Sequence, residues 1–253
     1  METTLITLLN EIDTLKQQLD RLRPLPPEVL KKIQDAFEIE YTYDSNRIEG
    51  NTLTLQETAL VVNEGVTISG KSMREHLEAI NHAQAITFIK DIAQKEVNIT
   101  EWVIKEIHGL VLHGIDKTNA GKYRDVPVMI AGSKHLPPPP YLIQEQMEAF
   151  INEYQQLKGV QTHPVVISAY LHDELVKIHP FIDGNGRTSR LLMNLNLIAN
   201  GYTITNLKSD NEAKQAYYTA LEISHTTSNR TPFYLLVAQT VKDSMMQYLN
   251  LFK

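Results

Sequence analysis

The chain contains no cysteine. That excludes disulfides, thiolate nucleophiles and cysteine-ligated metals. Glycine and proline number eleven each in 253 residues, too few for the frequent turns of a β-sandwich, so a helical fold is expected. No run approaches the ~18 consecutive apolar residues of a membrane-spanning helix. The opening METTLITLLNEID has neither the basic start nor the unbroken apolar run of a secretory signal. Positive charge is also in deficit: the formal charge is −6, which argues against a general nucleic-acid coat. These absences predict a soluble, cytoplasmic protein with neither membrane nor nucleic acid as a partner. What remains is an ordinary globular composition, 42% hydrophobic and 21% charged, in a chain long enough to bury its own core.

Leu5, Leu8, Ile12, Leu15, Leu19 and Leu22 recur at alternating three- and four-residue spacing, an a/d seam about three heptads long. It predicts a helix packed on its own domain, with a partner helix as the alternative. Pro24, Pro26 and Pro27 end it, and Pro27 suits the first position of the next helix. That helix runs towards Glu49 and stops at Gly50-Asn51. Thr54-Leu-Gln-Glu57 reads as a capping box for a short helix ending near Gly65. Further helical periodicity covers 72–94, the segment after Thr100, 142–157, 164–178, 187–200, 210–223 and 233–250. The 164–178 segment is apolar nearly all round and belongs at the centre of the core.

One stretch differs. Val126, Val128 and Ile130 alternate at strand period between Gly121 and Gly132, and Pro137 to Pro140 follow. This predicts a short β-hairpin or exposed ribbon over about 119–137, then stiff polyproline. The expected fold class is all-α with one hairpin. N-terminal helices occupy 1–65 and a core occupies 66–253, with no linker that forces two independent units.

The chemistry concentrates in His179-Pro-Phe-Ile-Asp183-Gly184-Asn185-Gly186-Arg187-Thr-Ser-Arg190. It reads as a tight loop opening onto a helix N-terminus. Gly184 and Gly186 allow positive φ and close approach of a ligand, and the free N–H groups form an anion site. Arg187 and Arg190 share the first turn, where two cations oppose the helix dipole unless anions offset them. Phosphates suit guanidinium groups best. Asp183 beside a phosphate site suits Mg²⁺, and His179 at the lip of the loop can take a proton near neutral pH. A glycine turn with surface arginines would not need this density of functional groups. His76, His82, His108 and His113 read as packed or helix-surface residues, and no third ligand joins His172 and His179 at zinc-like spacing.

HPFIDGNGRTSR resembles the signature of the Fic-domain family, HPFxDGNGRxxR, without departure, and the resemblance extends from about residue 40 to the C-terminus. Family members typically transfer AMP from ATP to a hydroxyl of a target protein. The resemblance implies His179 as general base and Asp183 as the Mg²⁺ ligand. It implies Gly184, Asn185 and Gly186 as the anion hole, and Arg187 and Arg190 as contacts to the outer phosphates. Gly186 favours AMP transfer, because a subgroup that phosphorylates its target has lysine there. The 122–135 hairpin corresponds to the family's flap, which holds the target by strand addition through residues such as Val126, Val128 and Ile130. Tyr217-Tyr218-Thr-Ala-Leu221-Glu222 resembles the adenine-side wall, with Tyr218 the better candidate. His225 stands where an animal family member has asparagine.

Glu49 is oddly placed on physical grounds, since a carboxylate near a helix C-terminus opposes the dipole and calls for a cation from elsewhere. Ser45-Asn-Arg-Ile-Glu49-Gly50 resembles the family's inhibitory motif, (S/T)xxxE(G/N). By that resemblance a helix over about 40–50 places Glu49 on Arg190 and keeps the γ-phosphate from its productive position. The combined motifs also resemble the animal endoplasmic-reticulum branch, in which the same glutamate is implicated in removing AMP. The expected function is an autoinhibited protein adenylyltransferase using ATP and Mg²⁺, with a target protein and a homodimer as partners. The alternatives are deadenylylation through Glu49, a nucleotide sensor without turnover, and a regulatory interaction protein using the heptad helix. An intact His179 weighs against the last two, because binding alone needs no base.

Overall fold

The computed structural model describes residues 2–24 and 27–252. Ten α-helices appear among them: α1 (Glu2–Arg21), α2 (Pro27–Ile48), α3 (Leu55–Glu64), α4 (Met73–Gln94), α5 (Glu101–Val111), α6 (Ile143–Gly159), α7 (Pro164–Ile178), α8 (Asn185–Ala199), α9 (Asn211–Thr227) and α10 (Thr231–Asn250). Pro27 is the first residue of α2, as its fixed φ favours, while Pro26 lies outside the described residues. The Thr54/Glu57 capping box forms, and Ser72/Glu75 forms a second at the start of α4. Gly50, at φ 101°, ends the turn after α2, and Gly65 closes α3 in the left-handed region.

The heptad seam of α1 is covered within the chain. Leu8, Ile12 and Leu19 are buried in a cluster with Val241, Met245 and Tyr248 of α10. Helix α7 is central, with Ile167, Leu171, Leu175 and Ile178 in the largest cluster beside Ile86 of α4, Ile104 of α5 and Leu192 of α8. Each such side chain contributes roughly 1.5–3 kcal/mol on burial. Helices α7 and α8 pack along each other, so their connecting loop, residues 179–184, is held at both ends by the most buried part of the molecule.

The expected hairpin does not form. No strand occurs among the described residues, and 122–139 is an extended, irregular loop. The alternation of Val126, Val128 and Ile130 is real, but Pro127 removes a ladder donor between them and Pro137 to Pro140 remove four from the returning limb. Two limbs so short of N–H groups cannot pair. The loop turns at Gly132, where φ is 79°, with the Ser133 N–H donating to the Ile130 carbonyl at 3.1 Å.

Candidate active site

His179 follows α7 directly and takes the left-handed conformation, φ 51° and ψ 57°. For a residue with a β-carbon this costs roughly 1–2 kcal/mol, and the surroundings hold it. Its N–H donates to Leu175 O at 3.0 Å, and its carbonyl accepts from Arg124 Nε at 2.8 Å. Two residues on, Phe181 is fully buried and stacks on His108, with centroids 3.6 Å apart and planes 7° from parallel. The Asn185 side chain closes the loop: its Oδ1 accepts from Phe181 N at 3.0 Å and its Nδ2 donates to Phe181 O at 2.9 Å. These two bonds fix the Asn185 side chain on the loop, and its backbone N–H faces the open end of the next helix.

His108 fixes the loop from behind. Its Nδ1 accepts from the Gly121 N–H at 2.9 Å, so Nε2 carries the proton and donates to Asp183 O at 2.9 Å. Burial pushes its pKa down to about 4, which preserves that tautomer. Gly184 sits against the same ring at φ 79°, and a β-carbon there would meet His108 Cδ2 and Val111 Cγ1 at 3.3 Å.

Helix α8 then begins, and its first main-chain bond runs from Thr188 N to Gly184 O at 2.9 Å. The N–H groups of Asn185, Gly186 and Arg187 precede it and have no acceptor within the helix. Arg187 and Arg190 are both buried, at 2% and 1% exposure, rather than spread on an open face. Arg187 lies 3.2 Å from Asp183 Oδ1 and 3.3 Å from Glu78 Oε1, and its Nε has no hydrogen-bond partner. Asp183 also accepts from the Gly184 N–H at 2.6 Å and from Arg74 Nη2 at 2.5 Å. Burial alone would raise its pKa, but Arg187, the Gly184 N–H and Arg74 outweigh it and hold the carboxyl below its usual value. No group of three or more His, Cys, Asp or Glu assembles among the described residues. A single ionised carboxylate beside an anion cup fits a magnesium ion that shares phosphate oxygens, not one caged by protein alone.

Glu49, just beyond α2, reaches into this cup. Its Oε1 accepts from Arg190 Nη2 at 2.7 Å, while Ser45 takes Arg190 Nε on Oγ at 2.9 Å and Nη2 on its carbonyl at 2.8 Å. Burial opposes the Arg190 charge, but Glu49 reverses the balance and keeps the group firmly ionised. Gly186 makes room for the carboxylate: a β-carbon there would collide with Glu49 Oε1. Tyr217 is interior, with its hydroxyl 3.4 Å from Arg190 Nη1 and 3.2 Å from His172 Nε2. Tyr218 is exposed, and its hydroxyl donates to Ile48 O at 3.1 Å, on the last residue of α2.

The His179 ring donates Nδ1–H to Val176 O at 3.2 Å, which leaves the Nε2 lone pair free. Burial lowers its pKa most, the Val176 bond and Glu49 oppose that, and Arg124 adds to it. The ring is therefore neutral and basic at physiological pH.

The 122–139 loop lies alongside. Val126 is 45% exposed and Met129 83% exposed, with Val128 and Ile130 half-buried. Ser133 Oγ and Lys134 N donate to Glu222 of α9, at 2.5 and 3.0 Å. His225 lies against α7, with its Nε2 3.0 Å from Asp173 Oδ1. Sequence reasoning missed Arg74, Glu78 and Arg124, placed Glu222 only in the adenine-side stretch, and placed His108 only as a packed or helix-surface residue. None lies near the motif in sequence, and each acts through a partner tens of residues away.

Residues 98–197 match the profile of the Fic/DOC family. Over 243 residues the chain is 35% identical to the protein adenylyltransferase Fic of Nematostella vectensis, covering 94% of this chain and 55% of that protein. The solved structure of Fic-1 (residues 134–508) from C. elegans is similar with a TM-score of 0.89 and 29% identity, over 99% of this chain and 73% of that one. A Fic domain containing signaling protein from Bacteroides thetaiotaomicron is similar with a TM-score of 0.84 and 30% identity, over 93% of this chain and 94% of that one. The chain spans about half the length of the curated relatives it matches.

Proposed function

The chain belongs to the Fic/DOC family, and we propose that it is an autoinhibited protein adenylyltransferase. Its substrates are ATP and a hydroxyl side chain of a target protein. The observation that carries this reading is the Glu49 carboxylate bound to buried Arg190 above Gly186, where the helix N-terminus would otherwise receive an anion. The name of its relatives, protein adenylyltransferase Fic, supports the reaction class.

In the reaction, the target hydroxyl attacks the α-phosphorus of ATP and pyrophosphate leaves. His179 Nε2 accepts the hydroxyl proton, in keeping with a neutral ring whose other nitrogen is held by Val176. The N–H groups of Asn185, Gly186 and Arg187 and the Arg187 and Arg190 side chains stabilise the phosphates without reorganising. Asp183 would hold a Mg²⁺ ion, which would supply neutralisation of polyphosphate charge. Loop 126–138, where the main-chain groups of Val128 and Met129 have no hydrogen-bond partner among the described residues, receives an extended target segment by main-chain pairing. Tyr218 borders the nucleotide. Glu49, by occupying Arg190, keeps the outermost phosphate from its place, so the wild type is slow.

The second reading is removal of AMP from a modified target. The Glu49 side chain is 35% exposed and only its Oε1 is bonded to Arg190, which leaves a carboxylate oxygen to orient a water. Both readings are tested with α-labelled ATP and Mg²⁺. Glu49→Gly labels protein strongly, and adding His179→Ala lowers labelling about 10²–10⁴-fold. Equal labelling of wild type and Glu49→Gly would sink autoinhibition, full labelling without His179 would sink the base, and no labelling by either protein would favour a passive sensor. Loss of label from a pre-modified target, dependent on Glu49, supports the reverse reaction.

A further inference from the structure

Arg124 is 4% exposed, and no carboxylate pairs with it among the described residues. A buried guanidinium without a counterion is costly unless its donors find acceptors. Here the acceptors are three carbonyl oxygens for the guanidinium and a fourth for the backbone N–H. The backbone N–H donates to Pro180 O at 2.9 Å and Nε to His179 O at 2.8 Å. Nη1 donates to Val126 O at 2.9 Å and Nη2 to Pro138 O at 2.6 Å. The first two acceptors are the base and the residue after it. The last two are the neck of the 126–138 loop, whose limbs have no ladder to hold them together.

We propose that Arg124 is a positioning residue that joins the 126–138 loop and His179 into one rigid unit, by clamping the loop's neck to the carbonyl of the base. This rests on the transferase reading, in which the loop carries the target segment and His179 takes its proton. A hydroxyl presented on the loop then meets Nε2 at a set distance and angle, and rate is steeply sensitive to that geometry. Arg124 itself touches neither nucleotide nor target. The His179 ring is faced by Arg124, His135 and Glu49; the first two disfavour its protonation and Glu49 favours it. Fork and charge are therefore separable: lysine keeps the charge and loses the fork, and glutamine loses both.

The test compares Glu49→Gly with the same protein carrying Arg124→Lys or Arg124→Gln. Amide exchange is followed at 126–138 and 179–181, affinity is measured with a fluorescent ATP analogue, and self-labelling is measured against pH. Both variants exchange about tenfold faster at the two segments, bind the analogue within about twofold of the parent, and label about 10–100-fold more slowly. The acid limb of the labelling profile moves to higher pH in Arg124→Gln and stays in place in Arg124→Lys, which retains the cation. Unchanged exchange in either folded variant overturns the clamp. A loss of nucleotide affinity that accounts for the whole loss of rate also overturns it, since Arg124 would then act on stability in general. Should Arg124→Gln fail to fold, Arg124→Lys decides by exchange and rate. If the Glu49→Gly parent labels nothing, the transferase reading falls while exchange still decides whether Arg124 joins loop to base.

Discussion

A β-carbon on Gly186 would collide with Glu49 Oε1 and come within 3.1 Å of Arg190 Nη1. The position is helical and Arg190 is buried, so neither the backbone nor the arginine can move aside cheaply. Gly186→Ala therefore displaces the Glu49 carboxylate. Overpacking of this kind costs about 1–3 kcal/mol, a fall of several degrees in melting temperature for a chain of this size. In a Glu49→Gly background only the approach to Arg190 Nη1 remains, and the same substitution costs about 1 kcal/mol less. Thermal melts of the four proteins decide it: equal losses in both backgrounds would show that glycine serves the helix and not the carboxylate.

At the scale of elements, α4 and α9 brace the segment that carries Glu49. The Glu75 carboxylate at the start of α4 caps its helix and crosses to the loop after α2. It accepts from Ser72 N at 2.8 Å, Ser72 Oγ at 2.9 Å, Thr52 N at 3.0 Å and Thr52 Oγ1 at 2.6 Å. These bonds, with Thr52 foremost, lower its pKa to about 2. The fold thus favours the ionised form, and the stability this supplies is complete above the ordinary value of 4.5 and lost as pH falls towards about 2. Glu75→Gln costs about 1 kcal/mol at neutral pH and flattens the decline between about pH 5 and pH 2, as urea midpoints across that range would reveal. An equally steep decline in the variant would remove Glu75 as its source. Helix α9 binds both the end of α2 and the 126–138 loop: Tyr218 holds Ile48 O, and Glu222, one turn on, holds the tip of the loop.

Across the whole molecule, burial sets the charge state of the histidines. His82 bonds Thr42 Oγ1 and His172 bonds the Tyr217 hydroxyl, both in the interior. Burial, reinforced by Arg190, pulls both pKa values well below 6.5. The folded state keeps them neutral while the unfolded chain protonates them, so stability is complete above about pH 6.5 and falls as pH drops below it. Unfolding near pH 5.5 should take up about one proton for each of these two rings. Calorimetry in buffers of different ionisation enthalpy measures that number, and an uptake near zero would show the rings to be solvated.

Helix periods, capping residues and glycine positions are local, and local physics acts over a few residues; hence α2, α4, α7 and α8 and the Thr54 box were legible in the chain alone. So was the loop at 179–190, whose residue types already state an anion site, and the family resemblance added the expectation that Glu49 answers Arg190. The hairpin was misread because alternation signals a pleated face but says nothing of donors, and Pro127 with Pro137 to Pro140 removes them. Only the tertiary structure decided the partners. Glu49 and Arg190 are 141 residues apart, Arg74 and Asp183 are 109, and Arg124 reaches the His179 carbonyl across 55. Such pairs depend on which helix faces pack together and which groups are left in the interior needing acceptors. The residue types of the chemistry were therefore written in the sequence, and packing determined their restraint and alignment.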